Sequence, residues 1–260
     1  MSIALPARAK LNLDLAVLGR RTDGFHDVRT TLQAIDLHDL VTVALAPETA
    51  LTMTGLPVTN PNPNSVLRAL AALEKATNRQ LPTRIHLHKQ IPPGSGLGGA
   101  SSDAATALRA LAALHHVTAD LPAIAQTLGA DVPFFLTGGT AVADQRGDHL
   151  TPIPTRPMWF AIAWPGVELQ TPDVYRAWDE MENTPLAGLN HLTEAAMRIE
   201  PRLKEFANAL NSRQHGWQMT GSGSAFFQRC AGEQAALESA AELKSLKCWT
   251  AIAQTVSAWA

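Results

Sequence analysis

The segment Pro92-Pro93-Gly94-Ser95-Gly96-Leu97-Gly98-Gly99-Ala100-Ser101-Ser102-Asp103 limits the fold more than any other, because four glycines fall within six residues directly before a helix-forming stretch. Glycine lets the backbone approach a ligand closely and turn its N–H groups inward; the helix that follows adds unpaired donors and the positive end of its dipole. Ser101 and Ser102 place hydroxyls where phosphate oxygens or Mg²⁺ would sit. A flexible Ser-capped loop is the alternative without chemistry. Two known phosphate motifs do not describe the segment. A Walker loop requires Gly-Lys-Ser/Thr, and no lysine follows these glycines. Gly94, Gly96 and Gly99 meet the dinucleotide spacing, but that motif also needs an acid ending a second parallel strand about 20 residues on. Asp120 has the spacing and precedes Leu121-Pro122, a helix start.

The rest of the chain reads as strands followed by helices. From residue 10 to 17, Leu11, Leu13, Leu15 and Val17 alternate with Lys10, Asn12, Asp14 and Ala16, as in a half-buried strand. A turn around Asp23-Gly24 leads to a second strand near 28–35, and 40–45 and 51–58 are further strand candidates. Asn60-Pro61-Asn62-Pro63-Asn64-Ser65 is a stiff turn ending in a helix cap, and 84–91 alternates until Pro92-Pro93. Helices are expected from about residue 100, with Ala104, Ala107, Leu108, Leu111 and Leu114 on one stripe, and over 121–128, capped by Asp120. The second half holds a strand at 159–164, helices at 174–181, 191–210 (interrupted at Pro201) and 233–246, and a glycine-rich turn at 221–223. Thr151-Pro152-Ile153-Pro154-Thr155-Arg156-Pro157 is the linker candidate, giving two lobes, 1–150 and 151–260. Without strict β-α alternation, the fold class is α+β.

Composition sets outer limits. A chain of 260 residues holds one to two domains. Although 46% of residues are hydrophobic, 43 are Ala, so the cores are built from small side chains and helices can pack closely. A net charge of −2 gives no reason to expect a nucleic-acid partner. The longest apolar run, Met158 to Trp164, is seven residues, so no membrane partner is expected. The first ten residues contain no signal-type apolar core, and Cys230 and Cys248 read as ordinary thiols of a cytoplasmic protein.

Pro93-Gly94-Ser95-Gly96-Leu97-Gly98-Gly99-Ala100-Ser101-Ser102 resembles the nucleotide loop of the galactokinase, homoserine, mevalonate and phosphomevalonate (GHMP) kinase superfamily. Three more segments agree in order: Pro6-Ala7-Arg8-Ala9-Lys10-Leu11-Asn12-Leu13, Arg21-Thr22-Asp23-Gly24-Phe25-His26, and Gly129-Ala130-Asp131-Val132-Pro133-Phe134-Phe135-Leu136 with Gly138-Gly139-Thr140-Ala141. The resemblance is dense from residue 6 to about 143 and thinner afterwards, where Met219-Thr220-Gly221-Ser222-Gly223-Ser224 is the clearest element. It implies a two-lobed fold with the active site in the inter-lobe cleft. The implied reaction is ATP-dependent phosphorylation of the 2-hydroxyl of a diphosphocytidyl methylerythritol in non-mevalonate isoprenoid synthesis. ATP and a cytidine diphosphate polyol are then the small-molecule partners, with Mg²⁺ carried mainly by ATP, and the chain is expected to be a monomer or weak homodimer.

The resemblance assigns roles residue by residue. Lys10 and Asp131 are the catalytic pair, with Asp131 either general base or orienting group for the acceptor alcohol. A solvated strand lysine and an N-cap aspartate are the structural alternatives. The segment from Pro92 to Ser102 holds the phosphates, and Lys89 and Asn64 lie near adenine. Asn12, Phe25, His26, Thr171 and Tyr175 are assigned to the acceptor, with Phe25 where many relatives have Tyr. Simple core packing is the alternative for Tyr175, the only Tyr in the chain, as a tight hairpin turn is for Gly221-Ser222-Gly223. His86 and His88 share a strand face but lack a third ligand, and His115 and His116 are read as complements to a helix dipole, so no protein metal site is expected. Two other readings are a GHMP kinase acting on homoserine or mevalonate, and a non-catalytic ligand sensor on the same scaffold.

Overall fold

A computed structural model of the chain describes residues 1–58, 64–181 and 188–259. Its first half is organised by a long antiparallel hairpin, β1 (Ser2–Arg20) and β2 (His26–Leu45), closed at the tip by Arg21 N–H donating to the Phe25 carbonyl at 2.8 Å. The strands expected at 28–35 and 40–45 are one. The polar residues between them satisfy themselves in tertiary contacts: Asp36 accepts the Gln254 N–H at 2.9 Å, and Asp39 accepts those of Gln90 and Ile91.

The first sheet runs β3 (Ala50–Gly55), β4 (Thr83–Lys89), β2, β5 (Thr140–Asp144), β6 (His149–Ile153), with β1 also paired to β2. Only β3 and β4 are parallel. Thr151, Pro152 and Ile153, read from sequence as linker, belong to the edge strand β6, where proline is tolerated because one side of the strand donates to nothing. Helices α1 (Ser65–Thr77), α2 (Gly99–Leu114) and α3 (Leu121–Leu128) share a core with this sheet, and the short α4 (Phe134–Thr137) buries Phe134 and Phe135 in it. Asn64 caps α1, accepting the Val66 N–H at 3.0 Å, in place of the expected Ser65; residues 60–63 of that turn lie outside the described residues. Asp120 caps α3 as expected, accepting the Ala123 N–H at 3.0 Å.

The second sheet has the order β10 (Trp249–Gln254), β7 (Trp159–Trp164), β9 (Phe226–Cys230), β8 (Gln218–Met219). With it are α5 (Thr171–Asp179), α6 (Thr193–Ile199), α7 (Arg202–Asn211) and α8 (Glu233–Glu242). Pro201 separates α6 from α7, and the stretch expected as a single helix to 246 changes to a tighter 3₁₀ turn at Leu243–Leu246. Among the described residues, no helix is long and apolar enough to cross a membrane.

A core between the two sheets joins Leu11, Leu13, Ile91 and Leu97 to Phe160, Ile162 and Phe227. Each such Leu, Ile or Phe contributes about 1.5–3 kcal/mol by leaving water. The opposite face of β1 is not solvated: Lys10 and Asn12 are 4% and 5% exposed. Alternation alone predicts a half-buried strand, but α2 and the glycine segment cover the polar face as well. Register shifts between Arg8 and Lys10 and between Asn12 and Leu15 break the regular pairing there, a device that re-aims side chains beside sites.

Candidate active site

A cavity of about 510 Å³ is lined from the first half by Lys10, Asn12, Asp131 and the glycine segment, and from the second by Thr171, Tyr175 and the 221–223 turn. The glycine segment is held by both halves. Lys10 N–H donates to the Leu97 carbonyl (3.0 Å), Leu169 N–H to Gly94 (3.1 Å) and Ala225 N–H to Ser95 (2.9 Å). A Cβ on Gly96 would lie 2.3 Å from the Thr220 carbonyl oxygen, and one on Gly98 would lie 2.6 Å from the Phe135 ring. Both residues have φ near +80°, so no larger residue fits the position or the backbone. Gly98 is also the N-cap of α2 and offers no capping side chain, so the first-turn N–H groups are left to a ligand.

Lys10 Nζ donates to Asn12 Oδ1 and lies 3.7 Å from Asp131 Oδ2, an ion pair longer than a hydrogen bond. Burial lowers the Lys10 pKa, and Asp131 only partly offsets this. Asn12 is itself fixed, its N–H donating to Thr220 Oγ1 (2.9 Å) and its amide to Thr30 Oγ1 (2.8 Å). Asp131 is in a turn before α4, whose N-cap is Pro133, so the structural alternative of an N-cap aspartate does not hold. Its carboxylate side is 37% exposed and faces the cavity.

Tyr175 lines the same cavity and stacks on His26, with ring centroids 4.7 Å apart and planes at 23°. Trp178 meets His26 edge-on, and His26 Nε2 is 2.6 Å from Asp179 Oδ1. Burial, with the Asp131 charge, raises the Tyr175 pKa, keeping the phenol protonated. Thr171 Oγ1 and Ser222 Oγ are 2.9 Å apart, tying α5 to the 221–223 turn. Phe25 is not among the lining residues: it is 54% exposed at the hairpin tip, with the Arg146 guanidinium 4.9 Å over its ring. His26, one residue on, starts β2 and turns inward.

Asn64 and Lys89 also line the cavity, but each is committed to the scaffold as well. Asn64 caps α1, while the Lys89 ammonium donates to Asp39 and, at 2.7 Å, to Asp103. Pro92, Pro93, Gly94, Ser95, Gly96, Gly98, Gly99, Ala100 and Ser101 line the cavity; Leu97 and Ser102 are buried behind them. Asp39, Asp103 and Thr220 were given no role from sequence. The one signal available was Asp103, a carboxylate interrupting the Ala-rich stripe of α2. His86 and His88 bond to Thr52 and Thr54, and among the described residues no three His, Cys, Asp or Glu converge. His115 bonds Thr83 at 2.7 Å, and burial lowers its pKa. It is the C-cap of α2, so His115 and His116 stand at that helix's C-terminus as read from sequence.

The family described as "GHMP kinases N terminal domain" matches residues 64–139. A 4-diphosphocytidyl-2-C-methyl-D-erythritol kinase of Polaromonas naphthalenivorans is 37% identical over 86% of this chain and 84% of its own length. One of Thermus thermophilus is 37% identical over 92% of both chains. A crystal structure of 4-(cytidine 5'-diphospho)-2C-methyl-D-erythritol kinase superposes with a TM-score of 0.82 at 36% identity, covering 97% of this chain and 99% of that one. With relatives of this similarity along nearly its whole length and a two-lobed α+β architecture in common, the chain belongs to the 4-diphosphocytidyl-2-C-methyl-D-erythritol kinase family of GHMP kinases.

Proposed function

We propose that the chain transfers the γ-phosphoryl group of ATP to the 2-hydroxyl of 4-diphosphocytidyl-2-C-methyl-D-erythritol, between the two lobes expected over 1–150 and 151–260, with the division moved past Ile153 because β6 completes the first sheet. The observation that carries this is the Lys10–Asp131 pair at 3.7 Å in the same cavity as the uncapped start of α2. The triphosphate lies along the glycine segment and the first turn of α2, where main-chain N–H groups and the helix dipole hold its charge. The acceptor hydroxyl meets Asp131, which orients it or takes its proton as the new O–P bond forms and the β,γ-bridging bond of ATP breaks, releasing ADP. Lys10 steadies the Asp131 carboxylate and offsets charge developing on the transferring oxygens.

Mg²⁺ arrives with ATP. The Ser101 hydroxyl, in the first turn of α2 and bordering the cavity, fits that role. Ser101 would hold it together with the phosphates, and the ion would neutralise charge on the leaving oxygens. Tyr175, braced by His26, offers a ring face to the cytosine, and Thr171 lies beside it. The free thiols Cys230 and Cys248 suit the reducing cytoplasm, in which a monomer or weak homodimer would work.

A coupled ADP-release assay over the diphosphocytidyl polyol, homoserine and mevalonate tests the reading. Turnover is expected with the first alone, suppressed by CDP. Equal turnover on homoserine or mevalonate, or no ADP release with any acceptor, overturns it.

A further inference from the structure

Residues 90–98, which connect β4 to α2, are bracketed by buried charge. Lys89 ends β4, Asp103 lies in the second turn of α2, and Lys89 Nζ donates to Asp103 Oδ2 at 2.7 Å. Asp39 of β2 accepts from the same ammonium with one oxygen, and with the other accepts the N–H groups of Gln90 (2.5 Å) and Ile91 (2.8 Å), the first residues of the connection. The side chains of Lys89, Asp39 and Asp103 are 6%, 0% and 2% exposed. The Lys89–Asp39 pair is already neutral and already grips the start of the segment. Asp103 adds a second carboxylate to one ammonium, and its other oxygen has no hydrogen-bond partner among the described residues. A second buried carboxylate on one ammonium adds desolvation cost to a pair that is already neutral, so charge balance does not explain it. Its geometry does: it closes the ends of a glycine-rich connection against each other.

We propose that Asp103 is a positioning residue for the donor nucleotide: through Lys89 it ties the start of α2 to the end of β4 and holds the glycine segment in its phosphate-binding curvature. The proposal rests on the reading that this segment binds the donor phosphates. A site made of main-chain N–H groups depends on preorganisation, because glycine loses more conformational freedom on ordering than any other residue. Burial first, and then the Asp39 charge, push the Asp103 carboxyl up to about 7 against the pull of Lys89, consistent with a charge the fold tolerates rather than gains from.

Asp103→Asn keeps the shape and removes the charge. It is expected to bind ADP about tenfold more weakly by calorimetry. Hydrogen exchange at the glycine-segment amides should quicken, and the Tm should not fall. A lowered Tm with ADP affinity intact marks a purely structural carboxylate and overturns the proposal, as does unchanged affinity in a folded variant. Asp103→Glu covers the case in which the asparagine variant does not fold. Keeping the charge, it should bind ADP within about threefold of wild type, and a tenfold loss in the folded Glu variant overturns the role. ADP titration needs no turnover, so it separates this role from the acceptor assignment; a wild-type chain that does not bind ADP overturns the nucleotide reading and this role together.

Discussion

Lys10 and Lys89 are both lysines at strand positions, both all but buried, and both on the wall of the same cavity, yet their surroundings are opposite. Lys89 has two buried carboxylates. Burial alone would lower its pKa, but Asp103 and Asp39 outweigh that and raise it above the ordinary lysine value. Lys10 has one carboxylate, 3.7 Å away and partly exposed, together with a neutral amide, and its pKa is lowered. The difference separates a charge used up by the scaffold from one left undercompensated. An ammonium whose field is not already cancelled can act on charge that develops during a reaction, whereas a neutralised one can only hold parts together.

The same substitution at both lysines gives the sharpest contrast. Lys10→Met is expected to lower kcat about 10³-fold, as is Asp131→Asn, within the range for lost acid–base and electrostatic groups. Neither should lower the Tm, and near-normal turnover in either variant removes the pair from the mechanism. Lys89→Met leaves two carboxylates buried without a cation and should cost about 3–5 kcal/mol in urea unfolding. A loss well under 1 kcal/mol would erase the distinction drawn here.

The subtlest contrast is in pH. Because the folded-state pKa of Lys10 lies below its unfolded value, the unfolded chain binds more protons between the two, and stability from this group rises with pH in that window. Lys89 has the opposite sign: its contribution is complete below pH 10.5 and is lost as pH climbs through its raised value. Unfolding free energies of wild type minus Lys10→Met, measured across the alkaline range, should therefore slope upward before 10.5. A flat difference would mean that Lys10 is not desolvated.

Sequence reading went far where chemistry is local. Asp120 as a cap, Pro201 as a break and the glycine segment before a helix all depend on neighbours along the chain, and each is present as read. It failed where the partner is distant. The polar stretch 36–39 looked like an interruption in a strand because the N–H groups that satisfy Asp36 and Asp39 come from residues 254, 90 and 91. Residues 151–153 looked like linker because the strand they pair with carries no local mark of it. Phe25 and His26 are adjacent, yet hairpin geometry turns one to Arg146 at the surface and the other to Tyr175, contacts that no neighbour along the chain announces.

By itself the amino-acid sequence determined that a glycine-rich loop must form before α2, and its resemblance to the GHMP kinases pointed to one lysine and one aspartate, since glycine content and motif order are properties of the chain. Tertiary structure alone decided which lysine stays undercompensated. The ionisation of a buried ammonium is set by burial and by carboxylates within a few ångströms, and for Lys10 and Lys89 those come from residues 131, 39 and 103, brought to them only by folding.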